Sequence, residues 1–155
     1  LYKELTTSEI KQNTDFAEVL RLYSSLEPIN NSWRELIDNL TLLLPQLLAY
    51  LPDFLKANAG NSYKYEHLAV YFTYRHFLNS LDDFCIAATG NFIVLGVIFC
   101  AVCDALSMLT KGVADTEENA RLYSKQVEYS IENTDIIHDA DIKNLKGLLP
   151  LIFGR

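Results

Sequence analysis

From residue 84 to residue 109 the chain is apolar almost without interruption, and no charged residue stands between Asp83 and Asp104. A helix of that composition is hydrophobic on nearly every side, so it has to be enclosed by other helices or by lipid. Its flanks argue for helices. Asp82, Asp83 and Asp104 replace the Lys and Arg anchors of a membrane span, Thr89, Gly90 and Asn91 would sit in hydrocarbon, and the strictly apolar part, 92–103, is shorter than a crossing. The pattern therefore predicts a buried central helix. Gly96 within it predicts a close helix crossing, where a missing side chain lets neighbours approach.

The remaining elements show the helical period and none alternates as strands do. Thr6-x-x-Glu9 has capping-box form, and Phe16, Val19, Leu20, Tyr23 and Leu26 give the first helix one buried stripe. The Pro and two Asn at 28–31 predict a turn. Ser32-x-x-Glu35 then predicts the start of a long helix with apolar residues from Trp33 to Leu55, kinked or segmented at Pro45 and Pro52. After a polar loop at 56–61, a third helix over 62–82 is expected to turn Tyr65, Leu68, Ala69, Phe72, Leu78 and Leu81 inward. Gly112 reads as a helix stop and Asp115-x-x-Glu118 as the next capping box, with Ala120, Tyr123, Val127 and Ile131 as a narrow inner stripe. A short helix over 141–149 should precede an apolar tail that packs back onto the body. The expected fold is thus all-α, a helical bundle of five to seven helices around the buried helix 84–109, in a single helical domain spanning 1–155.

Charge and cysteine content narrow the function classes. A net charge of −7 disfavours a broad nucleic-acid face, which needs clustered Lys and Arg, and leaves RNA to indirect contact or a local basic spot. Cys85, Cys100 and Cys103 all fall in the apolar stretch, so the Cys100-x-x-Cys103 spacing reads as buried reduced thiols of an intracellular protein rather than a redox or zinc motif. Leu1 in place of an initiator Met suggests a fragment or a processed chain.

Chemistry-bearing clusters fail on spacing. His67 and His76 are nine residues apart and so lie on opposite helix faces. Asp135, His138, Asp139 and Asp141 straddle a predicted helix junction with one His among them, which does not make a metal site. Asp104 is the one lone charge in apolar surroundings, and Arg75 or Lys111 is its expected partner. No catalytic residue, metal or cofactor is expected. Partner binding is the better expectation: Tyr63, Lys64, Tyr71, Tyr74 and Arg75 interleave rings with cations on the third helix, as base stacking or peptide docking would use. Glu117, Glu118 and Asp139 belong to 113–141, where eight acids face two bases, Arg121 and Lys125. That stretch is a solvated face or a dock for a basic partner.

Residues Gly90-Asn91-Phe92-Ile93-Val94-Leu95-Gly96, following an aromatic helix and running into Ala101 and Ala105, resemble the fungal ribonuclease MRP protein 1 family and the related nucleolus and neural progenitor proteins over roughly 20–110. The resemblance implies a subunit of a nucleolar ribonucleoprotein, although Glu27-Pro28-Ile29-Asn30-Asn31 stands where that family carries an Arg/Asn/His-rich segment. Gly90 through Cys103 is also similar to the first homology region of the apoptosis-regulating B-cell lymphoma family. Ala88-Thr89-Gly90-Asn91 lacks the Trp and Arg of that region. The expected function is a non-enzymatic helical scaffold or adaptor of a larger complex, nuclear, nucleolar or cytoplasmic, with protein partners. The alternative is a divergent, virus-type regulator holding an amphipathic helix in an apolar groove.

Overall fold

The computed structural model describes residues 12–78, 80 and 85–140, the side chains of residues 12–15 excepted. Its helices are α1 (Gln12–Ser24), α2 (Asn31–Ala57), α3 (Tyr63–His76), α4 (Ile86–Lys111), α5 (Thr116–Tyr123) and α6 (Ile131–His138). A 3-10 turn, Ala59–Asn61, joins α2 to α3, and a π-helical turn, Ser124–Glu128, follows α5. No strand occurs among the described residues, and the fold is the expected all-α bundle around a buried central helix.

That central helix is α4. Helices α2, α3 and α5 make the largest contacts with it and α6 a smaller one. By length and composition α4 could cross a membrane, yet 78% of its most apolar window is covered inside the bundle. One ring from each of five helices meets at its middle. Phe99 of α4 lies 4.2 Å from Tyr23 of α1, 5.2 Å from Trp33 of α2 in a stacked arrangement, and 5.8 Å from Tyr123 of α5. Phe72 of α3 closes the cluster on Tyr123 at 5.5 Å. Such ring contacts add directional preference to the burial of large apolar area.

Gly96 makes the cluster possible. A Cβ there would stand 3.1 Å from both Phe72 Cε2 and the Tyr123 hydroxyl oxygen, tighter than most packed contacts, so both rings would have to give by a few tenths of an ångström. Gly96→Val should therefore force both rings outward and cost about 1–3 kcal/mol. A urea titration reads this as a lower midpoint, and an unchanged midpoint would remove the close crossing from the account.

The helix ends are capped locally, with some departures from the sequence pattern. Gly112 adopts φ +73° and closes α4 through its N–H to the Met108 carbonyl, as its position predicts. Asp115 Oδ1 accepts from the Glu118 N–H, but the Glu118 carboxylate turns to Arg121, so only half of the box forms. Helix α2 starts earlier than expected, because Asn30 rather than Ser32 caps it by accepting from the Trp33 N–H. It also runs unbroken past Pro45 and Pro52, which excludes the segmented alternative of the kinked or segmented helix expected. Both prolines lie on the exposed side, where water can satisfy the carbonyls they leave unbonded.

Two inner-stripe assignments are corrected. Leu78 is 67% exposed: α3 ends at His76 rather than continuing through 82 as expected, and six residues after Phe72 the position has turned well off the buried face. Ile131 is exposed as well: the π-helical turn shifts the register after Val127, Ser130 caps a new helix, and Ile137 takes the buried place. The expected box at Thr6, Leu81, the helix over 141–149 and the apolar tail lie outside the described residues.

Candidate functional site

Two buried carboxylates, Asp104 and Glu128, hold several of the candidate residues in structural roles. Asp104 has no exposed surface. Its carboxylate accepts from the Tyr65 hydroxyl of α3 at 3.0 Å, the Thr116 hydroxyl at 2.6 Å and the Asn119 side-chain amide at 2.7 Å, both of α5. The expected partners Arg75 and Lys111 are not used. Three neutral donors suit this position better than one long cation, because they satisfy several lone pairs without burying a second charge. Burial, and then the Asp104 carboxylate, push the Tyr65 phenol far above its ordinary value. Asp104 is thus a pin holding α3, α4 and α5 together.

Glu128 is the second pin. The sequence pattern places it on a solvated acidic face, but its side chain has no exposed surface. It takes Arg75 Nε at 2.9 Å, His76 Nε2 at 2.8 Å and the Tyr71 hydroxyl at 3.2 Å, all from α3. The π-helical turn is what aims it: neighbouring Gln126 and Val127 point inward while Lys125 stays exposed. Burial alone would raise the Glu128 carboxyl. The hydrogen bonds from His76 and Ser124, with the His76 and Arg75 charges, outweigh it and hold the group below its ordinary value. A carboxyl lowered in the folded state adds stability above its unfolded pKa and loses it as pH falls through the folded value. The stability advantage of the natural protein over Glu128→Gln should therefore shrink once pH drops below about 4.3. Urea midpoints measured against pH check this, and a constant difference would contradict it.

With Tyr71 and Arg75 engaged by Glu128, the other α3 candidates separate by direction. At 100° per residue, Tyr65, Ala69, Phe72 and His76 face inward, whereas Tyr63, His67, Val70, Tyr74 and Phe77 lie opposite. The outward set recurs at alternating spacings of four and three, and every member is exposed, Tyr74 by 81%. Tyr63 and His67 already touch edge to face, with ring centroids 5.5 Å apart. Helix α3 therefore carries rings and apolar residues on two opposite sides, and among the described residues only one of them is covered. Lys64 is half-buried on the flank shared with Tyr71 and Arg75.

That flank borders an open groove of about 880 Å³. Leu68 and Tyr71 of α3 form one wall; Ala120, Arg121, Ser124 and Lys125 form another, with Tyr129 and the turn at Ile29 and Asn30 completing it. The turn is clamped by two buried amides. Gln126 accepts from the Ile29 N–H and donates to the Glu27 carbonyl, while Asn133 accepts from the Glu27 N–H and donates to the same carbonyl.

The acidic candidates are not among the described residues that line the groove, although Glu118 borders it through Arg121. Glu117 is exposed, Glu118 is paired with Arg121 in a solvated two-pronged contact, and Asp139 is 86% exposed beside His138. Sequence reasoning missed His67, Val70 and Phe77 as members of the outward stripe, although their spacing was there to be counted. It missed Gln126 and Asn133 for lack of any local signal, since their partners lie about a hundred residues away in the chain.

Cys100 and Cys103 are fully buried, and burial pushes both thiols well above their ordinary value, which makes them packing groups rather than nucleophiles. Cys85 departs from the buried expectation: it precedes α4 and is exposed. Among the described residues no three His, Cys, Asp or Glu side chains gather as metal ligands would, and Asp141 lies outside those residues. Compared with known proteins, the chain matches no family model, no curated protein and no solved structure.

Proposed function

We propose that this protein is a non-enzymatic helical adaptor that joins a larger assembly by packing the outward side of α3 against a helix of a protein partner. The observation that carries the reading is the exposed stripe of Tyr63, His67, Val70, Tyr74 and Phe77. Residues alternating at four and three are the spacing by which one helix seats against another, and a helix apolar on two sides suits a position between two neighbours. Aromatic residues supply large contact area at low conformational cost, as interface anchors do. The groups with strongly raised pKa values, Tyr23, Tyr65, Tyr123, Cys100 and Cys103, are enclosed in the packing between helices, which fits a body that acts through its surface.

In its finer form the assembly is a nucleolar ribonucleoprotein, with RNA reached through protein neighbours, since Arg75 is already committed to Glu128. The regulator-like alternative has no comparable support: at 88–91 the bundle offers Thr89, buried and bonded to His138, and no cation.

Affinity purification of the natural chain and of Tyr74→Asp from the native extract tests the adaptor reading. Both variants should show the same helical circular dichroism, because Tyr74 is surface-exposed. The natural chain should retain a stoichiometric protein partner that Tyr74→Asp loses by tenfold or more. Elution of the natural chain alone, or equal retention by both, would defeat the reading.

A further inference from the structure

The stretch 113–141 is strongly acidic, yet its two bases, Arg121 and Lys125, both line the groove between α3 and α5, and they are the charged side chains among the described residues that line it. Two cations thus face the groove from an acidic stretch of chain, Lys125 exposed and Arg121 in an exposed pair with Glu118. We propose that the groove receives an acidic peptide segment of a partner protein, with aliphatic side chains against Ile29, Leu68 and Ala120 and carboxylates toward Arg121 and Lys125. The site is distinct from the outward stripe of α3.

Three features support that occupant. Gln126 and Asn133 tie the turn at 27–29 to the π-helical turn and to α6, and a wall fixed in this way lowers the cost of binding. Its aliphatic lining is flanked by two phenols, Tyr71 and the 75%-exposed Tyr129, a mixture suited to side chains of a peptide. Arg121 is at present paired with Glu118, and both are more than half exposed, so an incoming carboxylate can exchange with Glu118 at little cost. Nucleic acid is the poorer fit. A phosphate backbone calls for a track of cations, and here there are two on a chain of net charge −7.

The test is selection from a displayed library of random peptides about 14 residues long, roughly four helical turns if helical. The baits are the natural chain, Arg121→Glu/Lys125→Glu, and Tyr74→Asp, each first shown to be folded by circular dichroism. The natural chain should enrich sequences rich in Asp and Glu with Leu, Ile or Phe. The Tyr74→Asp bait should enrich the same pool, which separates this site from the α3 stripe. Selected peptides should bind the charge-reversed chain at least tenfold more weakly in fluorescence anisotropy and should weaken with added salt. Enrichment of Lys and Arg, no enrichment, or equal affinity for the charge-reversed chain would each overturn the proposal. Displacement of the selected peptide by oligouridylate at lower concentration than by its own unlabelled copy would also overturn it, in favour of a nucleic-acid site.

Discussion

Replacing Asp104 by alanine should destabilise the protein by roughly 3–5 kcal/mol, a large share of the stability of an ordinary domain. The loss comes from the groups left behind. Tyr65, Thr116 and Asn119 each aim a donor at the carboxylate from within the packing between helices, and alanine offers them no acceptor. Asp104→Asn should cost clearly less. Its remaining oxygen can still accept from Tyr65 and Thr116, and the Asn119 amide can turn its own oxygen toward the new NH2 group. Urea denaturation of the three proteins checks the order natural, Asn, Ala. An alanine variant as stable as the natural protein would show that the three donors find other acceptors and that Asp104 pins nothing.

Trp33→Ala should cost a similar amount, about 3–5 kcal/mol. Trp33 is 1% exposed, stacks on Phe99 of the central helix and meets Tyr23 edge-on, so its removal opens a cavity where α1, α2 and α4 converge. Trp33→Phe separates size from polarity. The indole N–H is buried without a hydrogen-bond partner among the described residues, so phenylalanine forfeits volume but also relieves an uncompensated donor. We expect it to lose less than half of what alanine loses, by the same urea titration. Equal losses for the two variants would mean that the N–H is satisfied in solution.

The two predictions differ in how visible their causes are along the chain. Trp33 could be read directly from the helical period, as could the enclosure of 86–111, the close approach at Gly96 and the glycine stop at 112, because each depends on local spacing or on one residue's chemistry. Asp104 could be singled out as a buried acid, but its partners could not: Tyr65, Thr116 and Asn119 carry no charge to nominate them, whereas the cations that were nominated are held or placed elsewhere. Glu128 was hidden for a different reason. Its burial depends on a π-helical turn that moves the register by a fraction of a turn, and the same shift exposes Ile131. The groove was hidden because its walls come from three distant segments, 29–30, 68–71 and 120–129, that only the packing of α5 brings together. The outward stripe of α3 is countable from its spacing, but rings also occupy the inner face at Tyr65 and Phe72, so aromatic content alone does not separate the two sides.

The central claim is that α4 is enclosed by its neighbouring helices. Thiol labelling tests it most directly, because Cys100 and Cys103 sit on α4 with no exposed surface to speak of. In a Cys85→Ser background without detergent, both thiols should resist a maleimide reagent under native conditions. They should react only at the rate of global unfolding, accelerating with urea in step with the loss of helical signal. Prompt labelling of either thiol in the folded protein, or protection that appears only once micelles are added, would contradict the account.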